Sequence, residues 1–157
     1  AILITHGHFD HVGDTVAICK RFSSVKVVCV HEISIYLTKC GVNQKQVVGM
    51  NKGGTVKLAN GFSVTMTNAI HSSGCKFDNS PTGVVCGGEA AGFVLHTPAG
   101  SIYHGGDTDA FLDMKLISRM HKPKVALLPI GGHYTMDPKI CAYALNHLLK
   151  SVTTFIP

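Results

Sequence analysis

The sequence predicts a layered α/β or α+β domain with mixed sheets. Three observations carry that prediction. β-branched apolar runs alternate with segments of helical period. The centre of the chain switches to period-two hairpin patterns. Hydrophobic residues make up 45% of the chain against 15% charged, a balance that excludes a disordered chain and supplies a core. The 157 residues are read as a single domain spanning 1–157. No apolar run approaches the roughly 18 residues of a membrane span, so a soluble chain is expected.

The elements follow in order. Ala1 to Thr5 is a short apolar run ahead of a glycine-containing loop, as in a buried strand. Asp14 is placed to N-cap a helix reaching about Phe22. Val25 to Val30 is β-branched and reads as a second buried strand. His31 to Cys40 reads as a helix that Gly41 stops. Thr55 to Leu58 and Phe62 to Thr67 flank Asn60-Gly61, a type I′ hairpin signal. In the second of these strands Phe62, Val64 and Met66 are expected on a buried face, with Ser63, Thr65 and Thr67 in water. Ser72 to Glu89, rich in Gly, Ser, Asn and Pro, is expected to be a long loop. Gly92 to Thr97 and Ser101 to His104 form a second hairpin around Pro98-Ala99-Gly100. Asp109 to Met120 is expected to be helical, with Phe111, Leu112, Leu116, Ile117 and Met120 on its apolar side. Val125 to Leu128 is a strand, Pro138 suits the first turn of a helix reaching about Lys150, and Thr153 to Ile156 starts one more strand.

The net charge is +5 with histidine neutral. Its Lys and Arg residues are scattered, with Lys20, Arg21 and Lys26 the densest group. There is no basic block and no tryptophan. That pattern argues against a nucleic-acid track and gives a mild bias towards anionic small molecules. Neither a nucleic acid nor a membrane is expected as a partner, and homo-oligomerisation is left open. Cys19, Cys29, Cys40, Cys75, Cys86 and Cys141 include no C-x-x-C pair. In a chain of this length they read as reduced thiols of a cytoplasmic protein. Ten histidines against nine acidic residues point to metal or proton chemistry.

The decisive stretch is His6-Gly7-His8-Phe9-Asp10-His11. Four ligand-type side chains fall within six residues, on a tight turn between a strand and a helix. Imidazole suits zinc, iron or nickel, and a carboxylate suits a water-activating site. Composition alone gives about 0.002 expected occurrences of three histidines and one aspartate at these fixed positions, so coincidence is rejected.

This motif resembles the H-x-H-x-D-H signature of the metallo-β-lactamase superfamily. His71, just past an alternating strand, stands where that superfamily has its third histidine. Asp107, in His-Gly-Gly-Asp-Thr, matches its metal-bridging aspartate. Pro129 to Met136 and the Gly49 to Gly54 run resemble a branch of metal-dependent hydrolases related to sugar-phosphate lactonases. The resemblance spans nearly the whole chain and implies a four-layer αββα sandwich. It implies two divalent ions, Zn²⁺ first, with Mn²⁺ or Fe²⁺ as alternatives. His6, His8 and His71 would hold one ion, Asp10 and His11 the second, and Asp107 would bridge. A further superfamily histidine would follow the strand at Thr153 to Pro157, and early strands would precede Ala1. The sandwich is therefore expected to be truncated at both ends, with one metal site a ligand short and occupancy reduced.

The implied reaction is hydrolysis of a small-molecule ester, lactone, amide or phosphoester by a metal-bound hydroxide. Asp10 would orient the attacking water or take its proton. Imidazole at His8 favours hydrolysis, because the diiron oxygen- and NO-reducing relatives usually carry an acid there. His133, in a glycine-rich loop after a strand, is the candidate substrate contact or proton donor, with Tyr134 and Thr135 beside it. Lys52 is a candidate for an anionic substrate group, and Ser72 and Ser73 for the pocket wall. His104 is a candidate for hydrogen-bonding a ligand, and His31 for beginning a helix. The alternatives are a nuclease or phosphodiesterase acting on RNA or cyclic nucleotides, and a non-enzymatic metal-binding scaffold.

Overall fold

The computed structural model describes residues 1–77 and 80–157. In chain order the first half holds β1 (Ile2–Leu3), α1 (Phe9–Val12), α2 (Thr15–Arg21), β2 (Val27–Val30), α3 (His31–Lys39), β3 (Val47–Met50), β4 (Thr55–Lys57) and β5 (Ser63–Asn68). There follow β6 (Gly74–Lys76), β7 (Val84–Cys86), β8 (Ala91–Thr97), β9 (Gly100–His104), α4 (Met114–His121), β10 (Val125–Leu127), α5 (Pro138–Tyr143) and β11 (Thr154–Ile156). Helices and mixed sheets alternate, as the sequence predicts. Among the described residues no helix is long and apolar enough to cross a membrane. The chain divides into two compact units.

The first unit comprises Ala1–Asn51 and Ser72–Ala90. Its parallel sheet has the order β1-β2-β3. All four residues of β2 are buried, as a central parallel strand covered on both faces requires. α3 packs on β2 and β3, burying Ile33 and Leu37. Gln46, itself buried, turns its side-chain amide onto the carbonyls of Cys19, Phe22 and Val25 at 3.0–3.1 Å, satisfying acceptors at and beyond the end of α2. Asp14 does precede α2, but its side chain makes no cap bond. Its ψ of 14° keeps the backbone out of the extended conformation that side-chain capping uses.

The expected loop from Ser72 to Glu89 is corrected by the hairpin β6–β7, in which Cys75 is fully buried and pairs with Val85. The pairing spans three residues a side, too short to show a period among flanking Gly, Ser and Pro. Asp78 and Asn79 of that stretch lie outside the described residues.

The second unit comprises Lys52–His71 and Ala91–Pro157. Its six-stranded mixed sheet has the order β11-β10-β9-β8-β5-β4. β9, β10 and β11 run parallel, and the remaining neighbours are antiparallel. The β4–β5 hairpin closes as predicted. Asn60 and Gly61 have φ of 59° and 77°, and Phe62 N–H donates to the Ala59 carbonyl at 3.2 Å. That conformation is the reason for an Asn-Gly pair.

The one-sided face expected for β5 is corrected. Val64 and Met66 are buried, but so are Thr65 and Thr67, while Phe62 is exposed. Thr65 shares hydrogen bonds with Thr55 (2.8 Å) and His96 (2.9 Å), so its hydroxyl meets protein rather than water.

α4 is shorter than expected. Leu112 and Asp113 form a turn, and the helix begins at Met114. Met114, Ile117 and Ser118 are buried, whereas Leu112, Leu116 and Met120 are exposed. At about 100° per residue, Ile117 lies about 60° from Met114, whereas Leu116 and Met120 lie about 160° and about 120° from it; Met114 and Ile117 join the core of Val94, Tyr103, Phe111 and Leu149. α5 begins as predicted. The Asp137 carboxylate accepts from Ile140 N–H at 2.7 Å, with Pro138 in the first turn. A π-helical turn at Ala144–Leu148 continues it.

Candidate metal centre

Unit one gathers three histidines by local geometry. β1 is held to β2, and Ile4 N–H bonds to the Val28 carbonyl at 3.0 Å. The chain therefore leaves the sheet at Thr5-His6, both buried. Gly7 comes next because nothing larger fits: a Cβ there would lie 2.6 Å from Cys75 Sγ. Its N–H donates to Ser73 Oγ at 3.0 Å, and Ser73 in turn donates to the Gly87 carbonyl. His8 then starts the single turn α1. Its carbonyl accepts from His11 N–H (3.0 Å) and Val12 N–H (2.9 Å).

Three-residue spacing on that turn puts His8 and His11 on one side. The His6 ring centroid lies 4.6 Å from that of His8 and 4.0 Å from that of His11. His6 Nε2 faces His8 Nδ1 at 3.0 Å. Thr5 Oγ1 stands 3.0 Å from His6 Nδ1, and Ser72 Oγ stands 3.1 Å from His8 Nε2. The Asp10 carboxylate is 3.5 Å from His11 Nε2 and mostly exposed.

Unit two assembles its pair from two separate segments. His71 follows β5 and Asp107 follows β9. His71 Nε2 lies 3.7 Å from Asp107 Oδ2. Thr108, fully buried, makes the junction. Its hydroxyl accepts from Ile70 N–H at 2.9 Å and donates to the Asp109 carbonyl at 2.7 Å, while Asp109 N–H bonds back to the Ile70 carbonyl at 3.1 Å. His104 Nδ1 accepts from Gly106 N–H at 3.0 Å, bracing the turn before Asp107.

The loop after β10 is tied to the same turn, since Met136 N–H donates to the Thr108 carbonyl at 3.2 Å. His133, on that loop, is exposed, with its ring edge-on to Tyr134 at 4.4 Å. Lys52 Nζ donates to Asn68 Oδ1 at 2.7 Å. His31 begins α3 as expected. Thr5 and Thr108 were not singled out by sequence. Their only signal is adjacency, a hydroxyl beside His6 and another beside Asp107.

The donor set fits a divalent cation. Imidazole nitrogens converge in one unit, and an imidazole and a carboxylate in the other, the ligand types zinc, manganese and iron accept. The six cysteines are free. Cys29 is pushed up to about 12 by burial and then by Cys75, and Cys75 to about 11 by burial and then by Cys40 and Cys86. With no metal bound, burial holds both thiols protonated at neutral pH.

The comparisons agree with this reading. The family model described as "Beta-lactamase superfamily domain" matches residues 1–156. A UPF0173 metal-dependent hydrolase of Koribacter versatilis is 51% identical over 148 residues, covering 94% of this chain and 60% of that protein. A second, from Methanoregula boonei, is 47% identical over 156 residues, covering 99% of this chain and 64% of the relative. The solved structure of Igni18, a metallo hydrolase of the archaeon Ignicoccus hospitalis, aligns with a TM-score of 0.81 at 38% identity, covering 99% of this chain and 61% of its own. The chain thus spans roughly three-fifths of the length of these proteins.

Proposed function

Starting from the chain's membership of the β-lactamase superfamily domain family, we propose that it is the metal-binding part of a metal-dependent hydrolase acting on a small molecule. The carrying observation is the His6–His8–His11 cluster, with the 3.0 Å approach of His6 Nε2 to His8 Nδ1. His6, His8 and His71 are proposed to hold one ion. Asp10 and His11 are proposed to hold a second, with Asp107 as the bridge, as the family resemblance implies. When bound, two divalent ions, zinc first and manganese or iron as alternatives, would supply Lewis acidity towards the scissile group and its attacking water.

The remaining work falls to the chain's own side chains. The exposed Asp10 carboxylate would accept the proton of the attacking water. His133 would donate one to the leaving group, with Tyr134 at its flank. Gly7 and Ser73 hold the motif in place from behind. The substrate class proposed is an ester, lactone, amide or phosphoester, with an anionic group favoured by the net charge of +5.

A hydrolase panel of lactones, phosphodiesters and β-lactams on the zinc-loaded protein tests this. Turnover of one class, lost by about a thousandfold in Asp107→Ala, is expected. Turnover at the parental rate by that variant overturns the two-ion mechanism. For His133, the expected result of His133→Ala is a lower kcat on the substrate identified; unchanged kcat and KM remove it from the reaction.

A further inference from the structure

His6 and His8 each meet a hydroxyl at the nitrogen that faces away from the other ring. The order is Thr5 Oγ1, His6 Nδ1, His6 Nε2, His8 Nδ1, His8 Nε2, Ser72 Oγ, with successive gaps of 3.0, 3.0 and 3.1 Å outside the rings. All four residues belong to one unit. A neutral imidazole carries one N–H and one lone pair, and the partner of one nitrogen decides the role of the other.

We propose that Thr5 and Ser72 are positioning residues that fix opposite tautomers on the two rings, so that His6 presents Nε2 and His8 presents Nδ1 to a divalent cation. The inference rests on the metal-binding reading above and deepens it. Two neutral rings facing at 3.0 Å share a single proton in the gap, so one outer hydroxyl donates and the other accepts. A cation requires both facing nitrogens as lone pairs. Both ring protons then sit on the outer nitrogens, His6 Nδ1–H donating to Thr5 and His8 Nε2–H donating to Ser72.

The change relocates one proton between the nitrogens of a single ring, with no net gain or loss, and turns one hydroxyl from donor to acceptor. A hydroxyl serves both arrangements because it donates and accepts. A carboxylate could only accept, and an ammonium could only donate. Thr5 is buried and Ser72 is exposed, so the Thr5 bond is shielded from competing water and has the larger effect.

The test pairs zinc affinity, measured by competition with a chromophoric chelator, with ¹⁵N shifts of His6 and His8 in the zinc-loaded chain. Thr5→Val keeps the side-chain shape and removes the hydroxyl; it should weaken zinc binding by about 10–100-fold. Ser72→Ala should weaken it by less, and Thr5→Ser and Ser72→Thr should restore affinity to near parental. The spectra should show protons on His6 Nδ1 and His8 Nε2. Parental affinity in both Thr5→Val and Ser72→Ala, or a proton on His6 Nε2 with zinc bound, overturns the proposal. A parental chain that takes up no zinc fails differently: it overturns the metal reading itself, and this assignment with it.

Discussion

The two units assemble their candidate ligands by opposite means. In the first, one strand end and one helical turn deliver His6, His8 and His11 from a single contiguous motif, so local backbone geometry alone brings the rings within 4.0–4.6 Å. In the second, His71 and Asp107 come from separate strand ends and meet because Thr108 and Asp109 bond to Ile70. A local cluster is insensitive to distant packing. A stitched pair depends on a residue that is not itself a ligand.

Thr108→Val sharpens that contrast most. It keeps the shape but leaves the Ile70 N–H without its acceptor, at a cost of about 1–3 kcal/mol in unfolding free energy. Activity should fall at least about tenfold as the His71–Asp107 pair loosens. A Thr108→Val protein with parental stability and activity would show that the pair needs no stitch. In the first unit the corresponding sensitivity is steric. Gly7→Ala brings a methyl to 2.6 Å from Cys75 Sγ and should cost about 1–3 kcal/mol by overpacking. Chemical denaturation measures both.

A smaller effect separates the units by pH. Burial raises the Cys29 and Cys75 thiols to about 12 and about 11 from 9.0. Above pH 9 the unfolded chain loses these protons while the folded one keeps them, so the first unit's stability should decline as pH rises from 9 towards 11 and 12. In the second unit His121 is lowered from 6.5 by burial and then by the neighbouring His96. The folded state resists its protonation, so this contribution is complete above pH 6.5 and fades as pH falls below it. His121→Gln should flatten the acid limb of a denaturation series, and Cys29→Ala the alkaline limb.

The same contrast explains what the sequence disclosed. The H-x-H-x-D-H stretch was legible because its chemistry and its geometry are both local, and the Asn60-Gly61 turn because φ above zero selects those residues. The pairing of β6 with β7 and the burial of Thr65 and Thr67 were hidden, since both depend on partners distant in the chain. α4 misled for a related reason. Leu112, Leu116 and Met120 are as apolar as a core stripe, but Met114 and Ile117 are the residues that the sheet covers. Thr5 and Thr108 carry no pattern; only coordinates show a hydroxyl bonded to a histidine or to the backbone beside one.

The central claim is that these two sets of side chains serve as ligands to divalent ions. Metal content after exhaustive dialysis tests it most directly, on the zinc-loaded protein and on Asp107→Ala. The account predicts about two equivalents in the full-length parental protein, with at least one lost from the full-length variant. An Asp107→Ala protein that retains the parental metal content would contradict it.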